Sequence, residues 1–270
     1  MPPRAYAQAM RIAGAALTIL TLVAAGAGRA QGLRDFCADR PGKATPACIL
    51  DAGHVQLETA LADAVLQRSG GAHEDIYAVG ATEARFGLTS RLEAEAAWTP
   101  LIVDRLRGAG QRSGVGDLTL GLRGALTDPD SKGAAVSVQA FVTAPTATHG
   151  LGAGGWSGGA RLPVSVPLPD SFGLGLTPEV DVARNVQGGG THLAWTNVIS
   201  LGRTFGKASF GVEAWGSIDD DPARRSYLAS ADLTAALAVG ENAQLDAGAN
   251  FGLTHATPDL ELYVGVARRF

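Results

Sequence analysis

Acidic and basic side chains recur in this sequence at alternate positions of stretches that are otherwise apolar or glycine-rich. Glu58, Glu83, Arg85, Glu93, Glu95, Asp117, Arg123, Glu179, Asp181, Glu213, Asp232 and Asp246 all fall on the polar side of such a period-two pattern. Placed on the inner wall of a closed barrel, they could form a charged pore or binding site that selects solutes. The alternative is a network of Arg–carboxylate pairs filling a narrow interior. Facing lipid near a bilayer midplane, each charge would cost about 2–4 kcal/mol, so an inward orientation is expected. Carboxylates outnumber arginines in this set, so a conducting interior would favour cations.

Other chemistry is thin. The histidines are His54, His73, His149, His192 and His255, and none adjoins a serine in a nucleophile motif. Asp219-Asp220-Asp221 could attract a divalent ion but brings no further ligands, which describes a solvated loop equally well. Gly150 to Gly155 superficially matches a dinucleotide loop, yet no helical pattern follows it, as a βαβ unit would require. Cys37 and Cys48 have no His or Cys partners to complete a metal site, so a disulfide clip is the expectation in an oxidising compartment. It closes a short loop and contributes about 3 kcal/mol in the entropic model. No catalytic, cofactor or metal residues are assigned.

The elements that position these groups read as strands. Leu260, Leu262, Val264 and Val266 alternate with Glu261, Tyr263, Gly265 and Ala267. Leu245, Ala247, Ala249, Phe251 and Leu253 alternate with Asp246, Gly248, Asn250 and Gly252. Glycine inside nearly every such segment argues against helices. The pattern predicts about twelve strands, over 53–67, 75–88, 91–104, 116–127, 134–145, 156–168, 172–186, 192–204, 208–218, 226–239, 243–255 and 259–270. Connections alternate in kind. Tight ones fall at 89–90, 128–133, 169–171, 206–207 and 241–242. Mostly longer ones fall at 69–74, 105–114, 146–155, 187–191 and 219–225, with short 256–258 as the exception. Short turns on one side and longer loops on the other is the pattern of an outer-membrane barrel, and an even strand number places both termini at the short-turn, periplasmic side.

The beginning of the chain points the same way. Arg4 and Arg11 precede an apolar run from Ile12 to Val23, and small residues lead to Gly28-Arg29-Ala30, the order of a secretory signal peptide. Cleavage after Ala30 fits best and after Ala27 is the alternative; as a membrane anchor the apolar stretch is short. Gly accounts for 36 of 270 residues against 22 Lys and Arg, and no later apolar run approaches a spanning helix. In lipid only helices and closed barrels satisfy the backbone. The formal charge of -4 is too mild to suggest a nucleic-acid partner.

The stretch Cys37-Ala-Asp-Arg-Pro-Gly-Lys-Ala-Thr-Pro-Ala-Cys48, followed by Asp51-Ala-Gly-His-Val-Gln-Leu-Glu58, resembles the transporter-like family named "putative MetA-pathway of phenol degradation". Gly114-Val-Gly-Asp117 and Ala144-Pro145-Thr146 extend the resemblance. It implies an outer-membrane barrel of transporter type. The terminal Phe270, behind Leu262, Val264 and Val266, resembles the signal read by the outer-membrane assembly machinery, with Arg268 departing from it.

The sequence therefore predicts an all-β chain, a single antiparallel transmembrane barrel, in three parts: a cleaved signal over 1–30, a periplasmic segment with the Cys37–Cys48 disulfide over 31–52, and the barrel over 53–270. Lipid, the assembly machinery and a small-molecule solute are the expected partners, and the expected role is passage of small molecules, not catalysis. A non-conducting structural or adhesion barrel with a packed lumen is the second reading. A barrel enzyme, which needs a Ser/His or acid pair converging at one rim, is the third.

Overall fold

The computed structural model describes residues 32–68 and 73–270; the expected signal segment lies outside the described residues. The chain forms one closed antiparallel barrel of twelve strands, several of them interrupted once. They are β1 (Val55–Gln67), β2 (Glu74–Val79 with Ala81–Gly87), β3 (Leu92–Trp98 with Leu101–Leu106) and β4 (Gly110–Gly114 with Leu118–Ala125). Next come β5 (Ala135–Ala144), β6 (Ser157–Arg161 with Val164–Pro167), β7 (Phe172–Arg184) and β8 (Thr191–Phe205). The last four are β9 (Ala208–Asp221), β10 (Arg224–Ala238), β11 (Ala243–Gly252) and β12 (Leu260–Arg269). Each pairs with its neighbours, and β12 closes on β1 from Gln56↔Arg269 to Leu66↔Leu260.

Alternation builds the wall. Leu120, Leu122, Val138, Leu193, Trp195, Ile199, Val212, Leu233, Leu245, Leu262 and Val264 point outward and are exposed. Their inward neighbours Arg123, Gln139, Thr177, Glu213, Asp232 and Asp246 are buried. The inversion of the usual globular pattern, with polar groups inside and hydrocarbon outside, is what a lipid solvent requires.

The interruptions fall where the residue types demand them. Gly80, at φ +73°, breaks β2 beside Pro100, which breaks β3. Pro163 cannot donate to the ladder, and β6 beyond it keeps only two pairs with β5. In β1 the register shifts between Ala60 and Ala62. That bulge reverses which parity faces inward along the rest of the strand.

The connections depart from expectation at two places. The 105–114 and 219–225 segments were expected as loops. Instead the strands continue almost to the tips, with Leu106↔Gly110 and Asp221↔Arg224 pairing across tight hairpins. Backbone pairing does not need an apolar face once the hairpin is clear of lipid, so strands outrun the hydrophobic pattern. Both Val55 and Phe270 lie at the other end, where each donates its backbone N–H to the other's carbonyl.

Candidate functional site: a plugged lumen

The sequence places a disulfide-clipped segment over 31–52, ahead of the barrel. In the structure its described residues lie in the lumen, at the end that holds Val55 and Phe270. Its loop is closed by the Cys37–Cys48 disulfide, with Cα atoms 6.5 Å apart. Ala47, Ile49 and Leu50 are buried among wall side chains.

The largest ionic anchor lies on β2 to β4. Arg85 and Arg123 are almost wholly buried on β2 and β4. Arg123 donates to both oxygens of Asp39, one through Nη1 at 2.9 Å, and Arg85 Nη1 lies 3.2 Å from the same carboxylate. Wall carboxylates complete the cluster: Glu93 lies 2.9 Å from Arg85, Glu58 3.2 Å from Arg85, and Glu95 2.8 Å from Arg123. Burial alone would push the Asp39 carboxyl up, but the Arg123 and Arg85 guanidiniums outweigh it and hold the group at about 2. Charges this deep persist because each meets an opposite charge and hydrogen bonds.

Wall carboxylates also accept from the plug backbone. Glu58 takes the N–H groups of Asp39 and Arg40, Glu93 that of Leu50, and Glu213 those of Lys43 and Ala44. Arg40 reaches Asp246 at 2.8 Å, lying over Gly265, where a Cβ would collide with its guanidinium. Lys43 donates to Ser230, sits 3.6 Å from Asp232 and packs over the Trp215 ring. Thr177 accepts from the Thr45 N–H, and Ser165 from that of Ala47.

The structure thus gathers Glu58, Arg85, Glu93, Glu95, Arg123, Glu213, Asp232 and Asp246 around the plug. Glu83 joins through Asp39 and Glu95, each offering an oxygen within 4.8 Å of the others. Arg123 bridges Asp39 and Glu95, so the protein itself supplies positive charge where a metal would otherwise have to. Glu179 pairs with Arg161 at 2.9 Å, and Asp181 is inward and half-buried beside them on β7. Asp117 lies apart: it accepts from the Ala147 and Ala153 N–H groups and staples the 145–156 loop at the far rim. Phe270 is exposed at the terminal end beneath Arg268.

Sequence reasoning passed over several lumen groups. Asp63 falls after the β1 bulge, so simple alternation assigns it outward. In the structure it faces inward, opposite Tyr263. Uncharged Gln56, Gln139 and Thr177 carry no charge signal, yet they are buried on the lumen side. Asp39, Arg40 and Lys43 lie ahead of any strand, where period two says nothing. Asp219 and Asp221 close on His192, at 2.8 Å and 3.4 Å, and Asp220 pairs with Arg225, so that acidic run is internally engaged.

The plug leaves room beside its contacts with β6 to β10. Between residues 38–46 and the inner faces of β5 to β10 lies a vestibule of about 720 Å³. Its wall is built of small residues, including Ser165, Gly173, Gly175, Ser200, Gly202 and Gly211. The plug is held on both walls and leaves this vestibule open beside its contacts with Glu213, Thr177 and Ser165.

The fold is similar to that of the COG4313 outer membrane channel from Pseudomonas putida F1, with a TM-score of 0.66 at 16% sequence identity, covering 85% of this chain and 99% of that one. It is also similar to the NanC porin, with a TM-score of 0.52 at 8% identity over 78% and 98% of the two chains. No curated protein matches the chain in sequence. Over residues 38–270 the sequence matches a described family. On that match the chain belongs to the family described as "Putative MetA-pathway of phenol degradation".

Proposed function

We propose that this protein is an outer-membrane channel for passive passage of small solutes, exported by a signal over residues 1–30 that is cleaved after Ala30. On this reading 31–52 is a lumenal plug at the periplasmic end and 53–270 the spanning barrel. Phe270 is the terminal residue offered to the assembly machinery.

The observation that carries the reading is the vestibule beside the plug. Its glycine, serine and alanine lining spares space that larger side chains would fill. Inward carboxylates exceed inward arginines and lysines, which supports a preference for cations over anions.

A second reading, a non-conducting barrel, has its own support in the close pairing of Arg85 and Arg123 with the plug. Single-channel recording of refolded protein in planar bilayers decides between them. Discrete, salt-dependent steps with cation selectivity are expected. Silence from protein with normal heat-modifiable migration, before and after disulfide reduction, would favour the packed scaffold. A substitution that fills the vestibule, Gly202→Trp, should lower the step size of a conducting barrel. Catalysis is not proposed: His149 is exposed in a loop and His192 is engaged by Asp219 and Asp221.

A further inference from the structure

The outward face of β1–β4 carries charge at the end away from the termini. Along β3 the outward residues are Leu92, Ala94, Ala96, Trp98, Leu101 and Val103, then Arg105, with Arg107 in the turn beyond. At about 3.3 Å per residue and a tilt of about 40°, Leu92 to Val103 spans about 28 Å along the membrane normal. That matches the apolar band of such barrels, about 25 Å tall, so Arg105 and Arg107 emerge at its edge.

The register gathers further groups on this face. Arg105 stands opposite Asp75 on one side and Gln111 on the other. Arg68, at the end of β1, lies 2.5 Å from Asp75. Arg105 donates to Gln111 at 2.9 Å and lies over the Tyr77 ring, one row nearer the apolar band. A groove of about 540 Å³ runs between Arg68, Asp75, Arg105 and Arg107. It holds three guanidiniums and one carboxylate in a chain whose formal charge is -4. Among the described residues the ion pairs of this groove stop at Arg68–Asp75. Exposed Val79 and Leu101 lie directly below on the same face.

A positive groove immediately above a lipid-facing apolar surface fits one kind of ligand, an anionic head joined to acyl chains. Guanidiniums in a row suit phosphate, which they bind in a forked geometry that an ammonium cannot match. We propose that this groove binds the phosphate groups of a lipopolysaccharide-class glycolipid in the adjoining outer leaflet, its acyl chains lying over Leu101, Val103 and Val79. The assignment rests on the orientation proposed above, which puts this end of the barrel outside.

The test uses full-length refolded protein and the double variant Arg105→Gln/Arg107→Gln, both checked by heat-modifiable migration. Each is titrated with diphosphorylated lipid A, with dephosphorylated lipid A and with inorganic phosphate. The wild type should bind the diphosphorylated lipid at least tenfold more tightly than the dephosphorylated one, and the double variant should lose that preference. Equal affinity for the two lipids, or an unchanged preference in the double variant, overturns the proposal. Displacement of the lipid by millimolar phosphate would show a free-anion site and overturns it as well. Conductance separates the two readings: lipid binding with no conductance in either protein strikes the channel reading alone, and conductance without phosphate preference strikes only this one.

Discussion

Replacing Asp39 by Asn removes one negative charge from between Arg85 and Arg123 while keeping the shape and one acceptor oxygen. Both arginines still face Glu58, Glu93 and Glu95, so neither is orphaned. Breaking a buried ion pair typically costs 3–5 kcal/mol, and the retained acceptor puts this change at the low end, about 3 kcal/mol. That is roughly two orders of magnitude in the undocked population of the plug. The plug keeps the Arg40–Asp246 pair and the hydrogen bonds of Lys43, Thr45, Ala47 and Leu50, each contributing about 1 kcal/mol, so it remains mostly seated. Hydrogen exchange read by mass spectrometry should show the Asp39, Arg40 and Leu50 amides, which donate to Glu58 and Glu93, exchanging about a hundredfold faster. Peptides from β9 and β10 should be unchanged. Unchanged exchange across 38–50 in an intact barrel would refute the claim that the Asp39 pairs hold the plug.

The same carboxyl carries a pH signature. Its folded value of about 2 lies below the ordinary 3.8, so its contribution is complete above about pH 4 and fades as pH falls through about 2. The difference in plug exchange between wild type and Asp39→Asn isolates this carboxyl; a difference that collapses between about pH 7 and 5 contradicts the assignment. Reducing the Cys37–Cys48 disulfide should speed exchange over 38–47 by a loss of about 3 kcal/mol of loop constraint, with the thermal transition of the barrel unmoved. Leu120 is 49% exposed on the lipid face opposite Ala96, toward the middle of the apolar band, and Leu120→Arg should cost about 2–4 kcal/mol in urea titrations of bilayer-refolded protein. Leu126→Arg, beyond the end of β4, should cost at most about 1 kcal/mol. Equal costs at the two positions would contradict the placement of the apolar band.

The strands were legible because lipid writes a strict rule into every spanning segment: hydrocarbon on one parity, anything else on the other. Where the rule relaxes, the sequence grows quieter. The hairpins at Leu106↔Gly110 and Asp221↔Arg224 are held by backbone pairing alone, so no side-chain pattern marks their length. The β1 bulge displaces Asp63 from its apparent face because one extra residue reverses parity for all that follow. The plug obeys no period at all. Its seat is specified by single long-range pairs such as Arg40 with Asp246, which no local window contains.

The plug runs directly into β1, the strand on which β12 closes. Two of its fastenings, Arg40 to Asp246 and the Arg34 carbonyl to Arg269, come from the final two strands, 206 and 235 residues away along the chain. Contacts that distant pay their loop-closure entropy late. The segment made just ahead of the barrel is therefore the last to find its place. A barrel arrested before its closing hairpin would hold a loose leader, and arrival of the C-terminal strand both seals the wall and locks the stopper in one event.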